Sequence, residues 1–176
     1  SNVLLADLKN FVNYAPVDLK SFFSEMISKV GGKTVFRENL STMDLARDLV
    51  PEAKNIINAK EIEQSDISIE ELNKTEVAIF QSDLAVAENG AVWLDDNNLG
   101  IRILPFIAEN VIIELNVENI VWNMHQAYNR INQSTSFGVF ISGPSKTADI
   151  EQHLVIGAHG PFSLTVALSC ILNKQA

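Results

Sequence analysis

Residues 110–131, NVIIELNVENIVWNMHQAYNRI, decide the fold class. Val111, Ile112, Ile113 and Leu115 form a near-continuous apolar run. A strand of that kind is buried on both faces, as in a parallel sheet covered by helices. Behind it the spacing changes. Val117, Ile120, Val121, Met124, Ala127, Tyr128 and Ile131 recur at intervals that predict one amphipathic helix. A buried strand running straight into a helix is half of a βαβ unit.

The flanking sequence repeats the alternation. In PVDLKSFFSEMISKVGG (16–32), Leu19, Phe22, Phe23, Met26, Ile27 and Val30 make one helical stripe, with Pro16 near its start and Gly31 as its stop. KTVF (33–36) reads as a strand. Ser41 is a predicted N-cap with Asp44 three residues on, and Pro51 ends that helix. NIINA (55–59) is a strand, and EQSDISIEELNKT (63–75) a polar connection with a short helical centre. Residues 76–80 and 84–94 are two β runs, the second bent at Asn89-Gly90. FGVFIS (137–142) is a further buried strand ending at Gly143, and SLTVALSCI (163–171) a last one with Leu164, Val166, Leu168 and Cys170 on one face. Strand and helix in succession predict a mostly parallel sheet with helices on both faces, whose ligands bind beyond the carboxyl ends of the strands.

Composition bounds the function. At 176 residues the chain reads as one domain, with no repeat or linker. Its 22 acids against 13 lysines and arginines give a net charge of −9, which repels phosphate backbones and argues against nucleic acid. A single cysteine, Cys170, permits neither an internal disulfide nor an iron–sulfur cluster held by this chain alone. No apolar run reaches the ~18 residues of a membrane span, and no secretory-type N-terminal segment stands out, so the expected location is the cytoplasm.

The chemistry-bearing stretch is ISGPSKTADIEQHLVIGAHGP, residues 141–161. Gly143, Pro144, Ser145, Lys146 and Thr147 bring backbone amides, hydroxyls and one cation to a strand end, a combination suited to an anion. The same residues also make an ordinary Gly-Pro turn followed by a cap, and on composition both readings stand. The Walker A spacing is absent. Asp149 and Glu151 could orient a substrate or neutralise Lys146. His153 and His159, six apart, lack the spacing of a zinc helix, so no metal is expected. His159 lies between Gly157 and Gly160, which allow close backbone approach to a titratable ring. Upstream, Glu88 precedes the Asn89-Gly90 turn and Arg102 interrupts an apolar run; buried charges pair, and these two are plausible partners.

The order of these segments, AVAENGAVWL, then RILP, then ISGPSKTADIEQHLVIGAHGP, resembles the LutC/YkgG family of LUD-domain proteins of lactate utilisation. The resemblance covers about residues 77–169. It implies a single LUD domain with a three-layer α/β/α fold like that of the NagB/RpiA/CoA-transferase superfamily. It also implies an accessory subunit of a cytoplasmic L-lactate oxidation system, with iron–sulfur clusters in partner chains and none in this one. The expected site binds a small carboxylate or other anion through Gly143, Pro144, Ser145, Lys146 and Thr147. Asn89, Gly90, Arg102, Asp149, Glu151, Gly157 and Gly160 lie around it, with Glu88 and His159 as candidate catalytic groups. Two other readings remain: a stand-alone CoA-transferase or phosphosugar-type enzyme using Glu88, and a scaffold without a ligand. The family's Ala-Glu-Thr-Gly-Thr turn stands here as Ala87-Glu88-Asn89-Gly90-Ala91, without its two hydroxyls.

Overall fold

Alternation along the central strands sorts their side chains onto two faces, and the rest of the fold follows from what covers each. The computed structural model describes residues 18–37, 41–62, 67–132, 134–148, 154–156 and 160–170. Its strands are β1 (Lys33–Phe36), β2 (Ile56–Asn58), β3 (Val77–Ser82), β4 (Ala85–Val86), β5 (Ala91–Asp95) and β6 (Asn110–Asn116). They continue as β7 (Ile120–Val121), β8 (Gly138–Ile141), β9 (Lys146–Ala148), β10 (Leu154–Ile156) and β11 (Ser163–Ser169). The helices are α1 (Leu19–Lys29), α2 (Thr42–Leu49), α3 (Ile69–Leu72), α4 (Leu104–Ile107) and α5 (Met124–Arg130).

A parallel five-stranded sheet, in the order β1-β11-β6-β3-β2, forms the centre. Ala78, Val111 and Leu164 stand in one cross-strand row, and Phe80, Ile113 and Val166 in the next. These rows pack against Phe23 and Ile27 of α1. Each of those two side chains is 0% exposed, and full burial of such a side chain contributes about 1.5–3 kcal/mol before entropy is charged against it. The opposite face carries Val77, Ile79, Ile112 and Ala167, which meet Leu45 and Ala46 of α2. The near-continuous apolar run at 111–115 therefore serves both layers, as doubly covered parallel strands require.

The distribution of layers follows from handedness. β2, β3, β6 and β11 step across the sheet in one direction, through connections that pack on the α1 face. The step from β1 to β2 goes the other way, and its helix α2 lies on the other face. Right-handed crossovers demand that reversal.

Between β3 and β11 the chain builds a second, smaller sheet, ordered β7-β4-β5-β8. Ala85, Val92 and Leu94 turn inward to the main core, while Val86, Ala91, Trp93 and Phe140 face α5. Two expectations change here. The single helix predicted across 117–131 is a 3-10 turn at Val117–Asn119, then β7, then α5, which Asn123 caps by accepting from the Gln126 amide at 2.9 Å. Ile120 and Val121 pair with Ala85 and Val86 and are 4% exposed, so tertiary pairing overrides helical spacing there. The strand β8, expected in the parallel sheet, is a half-buried edge strand antiparallel to β5.

The Ser41 cap acts as read, accepting from the Asp44 amide at the start of α2. The structure adds two caps: Asp18 accepts from the Ser21 amide on α1, and Ser68 with Glu71 forms a capping box on α3. Among the described residues no helix is long and apolar enough to cross a membrane.

Candidate functional site

Three turns meet at the amino edge of the central sheet, and glycines let them touch. The first is the end of α1, where Gly31 at φ +91° turns the chain into β1. The second is the Glu88-Asn89-Gly90 turn between β4 and β5, where the Asn89 carboxamide oxygen accepts from the Ala91 amide at 3.1 Å. The third is Ser142-Gly143-Pro144-Ser145. Gly143 has φ +77°, and a Cβ there would lie 2.4 Å from the Val30 carbonyl oxygen, so only glycine lets this turn rest on the end of α1. The Ser142 hydroxyl donates to the Asn89 carbonyl at 2.7 Å and ties the second turn to the third.

The Ser145 amide donates to the Pro161 carbonyl at 2.9 Å, and the Phe162 amide to that of Glu109 at 2.7 Å. Pro161 and Glu109 lead directly into β11 and β6, so the motif lies at the amino edge. This corrects the expectation of a carboxyl-edge motif. Gly143 does follow a strand, but β8 belongs to the small sheet and runs back beneath the main one. Lys146 begins β9, which pairs with β10 in a separate antiparallel ladder that also contains Thr147. A Cβ on Gly31 would stand 3.2 Å from the Lys146 ammonium, which places that cation beside the end of α1. Among the described residues no carboxylate pairs with Lys146.

Gly160 packs against Ser145, and Phe106, Ile141, Gly143, Pro144 and Pro161 help line a cavity of about 210 Å³ beside the motif. Asp149, Glu151, His153, Gly157 and His159 lie outside the described residues. Of the groups offered to an anion, the Ser142 hydroxyl and the Ser145 amide already serve protein carbonyls. Lys146 remains as the cation of the cluster.

Glu88 and Arg102 do not pair with each other. Glu88 accepts from the Met124 amide at 2.7 Å and so steadies the first turn of α5. Arg102 forms a two-pronged bond to Asp96, at 2.7 and 3.1 Å, and donates to the Ser136 hydroxyl. Hydrogen bonds from Arg102 and Ser136, then the Arg102 charge, hold the Asp96 carboxyl below its ordinary value. This pair sits on the rim of a cavity of about 670 Å³ lined chiefly by Ile69, Leu72, Leu99 and Ile101.

A third cavity, about 230 Å³, opens at the opposite edge of the sheet and includes Lys60, Asp83 and Arg130. Sequence reading did not single out these residues. Each is an isolated charge at the end of a different element, and only folding brings them together. Among the described residues no group of side chains could hold a metal ion.

A model of the LUD domain family matches residues 20–168. Two relatives are proteins named Lactate utilization protein C. The one from Geobacillus sp. (strain WCH70) is 29% identical over 88% of this chain and 69% of its own length. That from Shouchella clausii is 33% identical over 81% of this chain and 65% of its own. A third of that name, from Oceanobacillus iheyensis, is 33% identical over 52% of this chain, and the match spans 42% of the relative. The crystal structure of a DUF162 family protein from Deinococcus radiodurans superposes with a TM-score of 0.63 at 15% identity, covering 86% of this chain and 96% of that one.

Proposed function

The chain belongs to the LUD domain family, and on that premise we propose that it serves lactate utilisation as a subunit that binds a small carboxylate. In this reading partner chains carry the iron–sulfur clusters and the electrons, in the cytoplasm. The similarity to proteins named Lactate utilization protein C supports the metabolic half. One observation carries the binding half: the Lys146 ammonium stands beside the end of α1, with no carboxylate partner among the described residues. A cation against closely packed backbone suits a carboxylate, which it meets in a charge-assisted hydrogen bond. The single cysteine fits the division of labour, because cluster ligation needs several thiolates. One Glu88 oxygen already serves the Met124 amide, so a transferase centred on Glu88 is the weaker reading.

The test is genetic and biochemical. Deleting the gene in its own host should abolish growth on L-lactate, and the wild-type gene should restore it where Lys146→Ala does not. Affinity purification from lactate-grown cells should recover iron-bearing, cysteine-rich proteins. Undiminished growth of the deletion strain, with an iron-free chain on purification, would overturn the reading.

A further inference from the structure

We propose that the cavity at the carboxyl edge of β2 and β3 is a second small-molecule site, built for a short carboxylate that also bears a hydroxyl group. Lys60 lies just beyond β2, and Gln81 and Asp83 close β3. Trp93 and Asp95 of β5 and Arg130 at the end of α5 also line it. In open parallel sheets the carboxyl ends are where loops diverge and leave room for ligands, and this cavity occupies that position. At about 230 Å³ it falls below the usual volume of a drug-sized pocket and suits a molecule of a few carbons.

The lining states the chemistry. Of the described cations Lys29, Arg37, Arg47, Lys74 and Arg102 each pair with a carboxylate, and Lys20, Lys33, Lys54, Lys60, Arg130 and Lys146 do not. Among the described residues the side chains of Lys60, Asp83 and Arg130 have no such partner, although all three line one small cavity. Two cations can hold a carboxylate between them. Asp83 accepts from a hydroxyl, which asks for a donor on the same ligand.

The rest of the wall is pre-set. The Asn97 amide donates to Asp95 Oδ1 at 2.9 Å, and Asn98 Oδ1 accepts from the Asp95 amide at 2.8 Å. Those bonds hold the turn after β5 in one shape, so a ligand need not order it, which lowers the cost of binding. A bare anion would leave Asp83 facing negative charge, whereas a neutral polyol would leave both cations unused. A hydroxy-carboxylate satisfies both signs at once. This site stands at the opposite edge of the sheet from Lys146, so each can fail without the other.

Titration calorimetry on the full chain, with L-lactate, acetate and propane-1,2-diol as probes, tests the proposal. L-lactate should bind saturably, and acetate and the diol more weakly. In a Lys146→Ala background, which silences the amino-edge site, the double variant Lys60→Ala/Arg130→Ala should weaken L-lactate by at least about tenfold. Asp83→Asn should narrow the preference for L-lactate over acetate. Thermal unfolding of each variant separates lost binding from lost fold, and Lys60→Gln with Arg130→Gln replaces any alanine variant that fails to fold. Undiminished affinity in the folded double variant would overturn the site. So would affinity that falls only with Lys146→Ala, or no saturable binding of L-lactate.

Discussion

The two edges of the central sheet are built on opposite terms. At the amino edge, three turns press backbone against backbone, and their fit is steric: Gly143 on the Val30 carbonyl and Gly90 against the backbone of Met26 and Ile27 in α1, with Gly160 packed against the Ser145 side chain beside them. At the carboxyl edge, side chains with charges and carboxamides surround open volume. The recognisable sequence motif belongs to the packed edge, and the cavity lined by charges, of similar volume to the one beside the motif, to the edge without a motif. A motif can therefore mark the place where the chain must fit itself, and need not contain every group that meets a ligand.

Substitutions can break that contrast. The largest effect should come from Gly143→Ala, which adds a Cβ at a positive φ and against a carbonyl. We expect a loss of about 3 kcal/mol, a fall in Tm of roughly 6–12 °C by thermal unfolding. A fall below about 1 °C would show that the turn yields and that the amino edge is not sterically set. Ser142→Ala removes the hydroxyl that ties the turn to Asn89, so about 1 kcal/mol, roughly 2–4 °C, should go with it. Equal Tm values in this variant and the wild type would mean that glycine packing alone holds the two turns together.

The smallest effect sharpens the electrostatic side. The folded-state Asp96 carboxyl sits below its ordinary value of 3.8, chiefly through hydrogen bonds from Arg102 and Ser136. A depressed carboxyl stabilises the fold above the unfolded value and loses that contribution as pH falls through the folded one. Asp96→Asn should therefore lower Tm slightly near pH 6, with the gap to wild type closing below pH 3.8. A gap that persists unchanged into acid would assign the effect to shape and not to charge. The exposed position of Arg102 keeps the expected size small.

How much of this was legible depended on the range of the interaction. The Ser41 cap, the Gly31 stop and the strand at 110–116 are local, and local spacing predicts them. The stretch 117–123 misled because Ile120 and Val121 satisfy a helical period and a strand pairing equally well, and β4 was there to pair with them. Glu88 and Arg102 look alike in sequence, as acid and base within apolar runs. Their partners, the Met124 amide and the Asp96 carboxylate, are set by which loops the small sheet brings alongside.

The sequence by itself determined the layered α/β class, since an apolar run buried on both faces has few other homes, and the ordered segments from AVAENGAVWL to GAHGP marked the family. Tertiary structure alone decided which edge of the sheet the motif occupies. It also decided which charges share a cavity, because Lys60, Asp83 and Arg130 end three different elements. The physical reason is period. Burial repeats every two or 3.6 residues and is written along the chain, while contacts between chain ends of separate elements have no period to read.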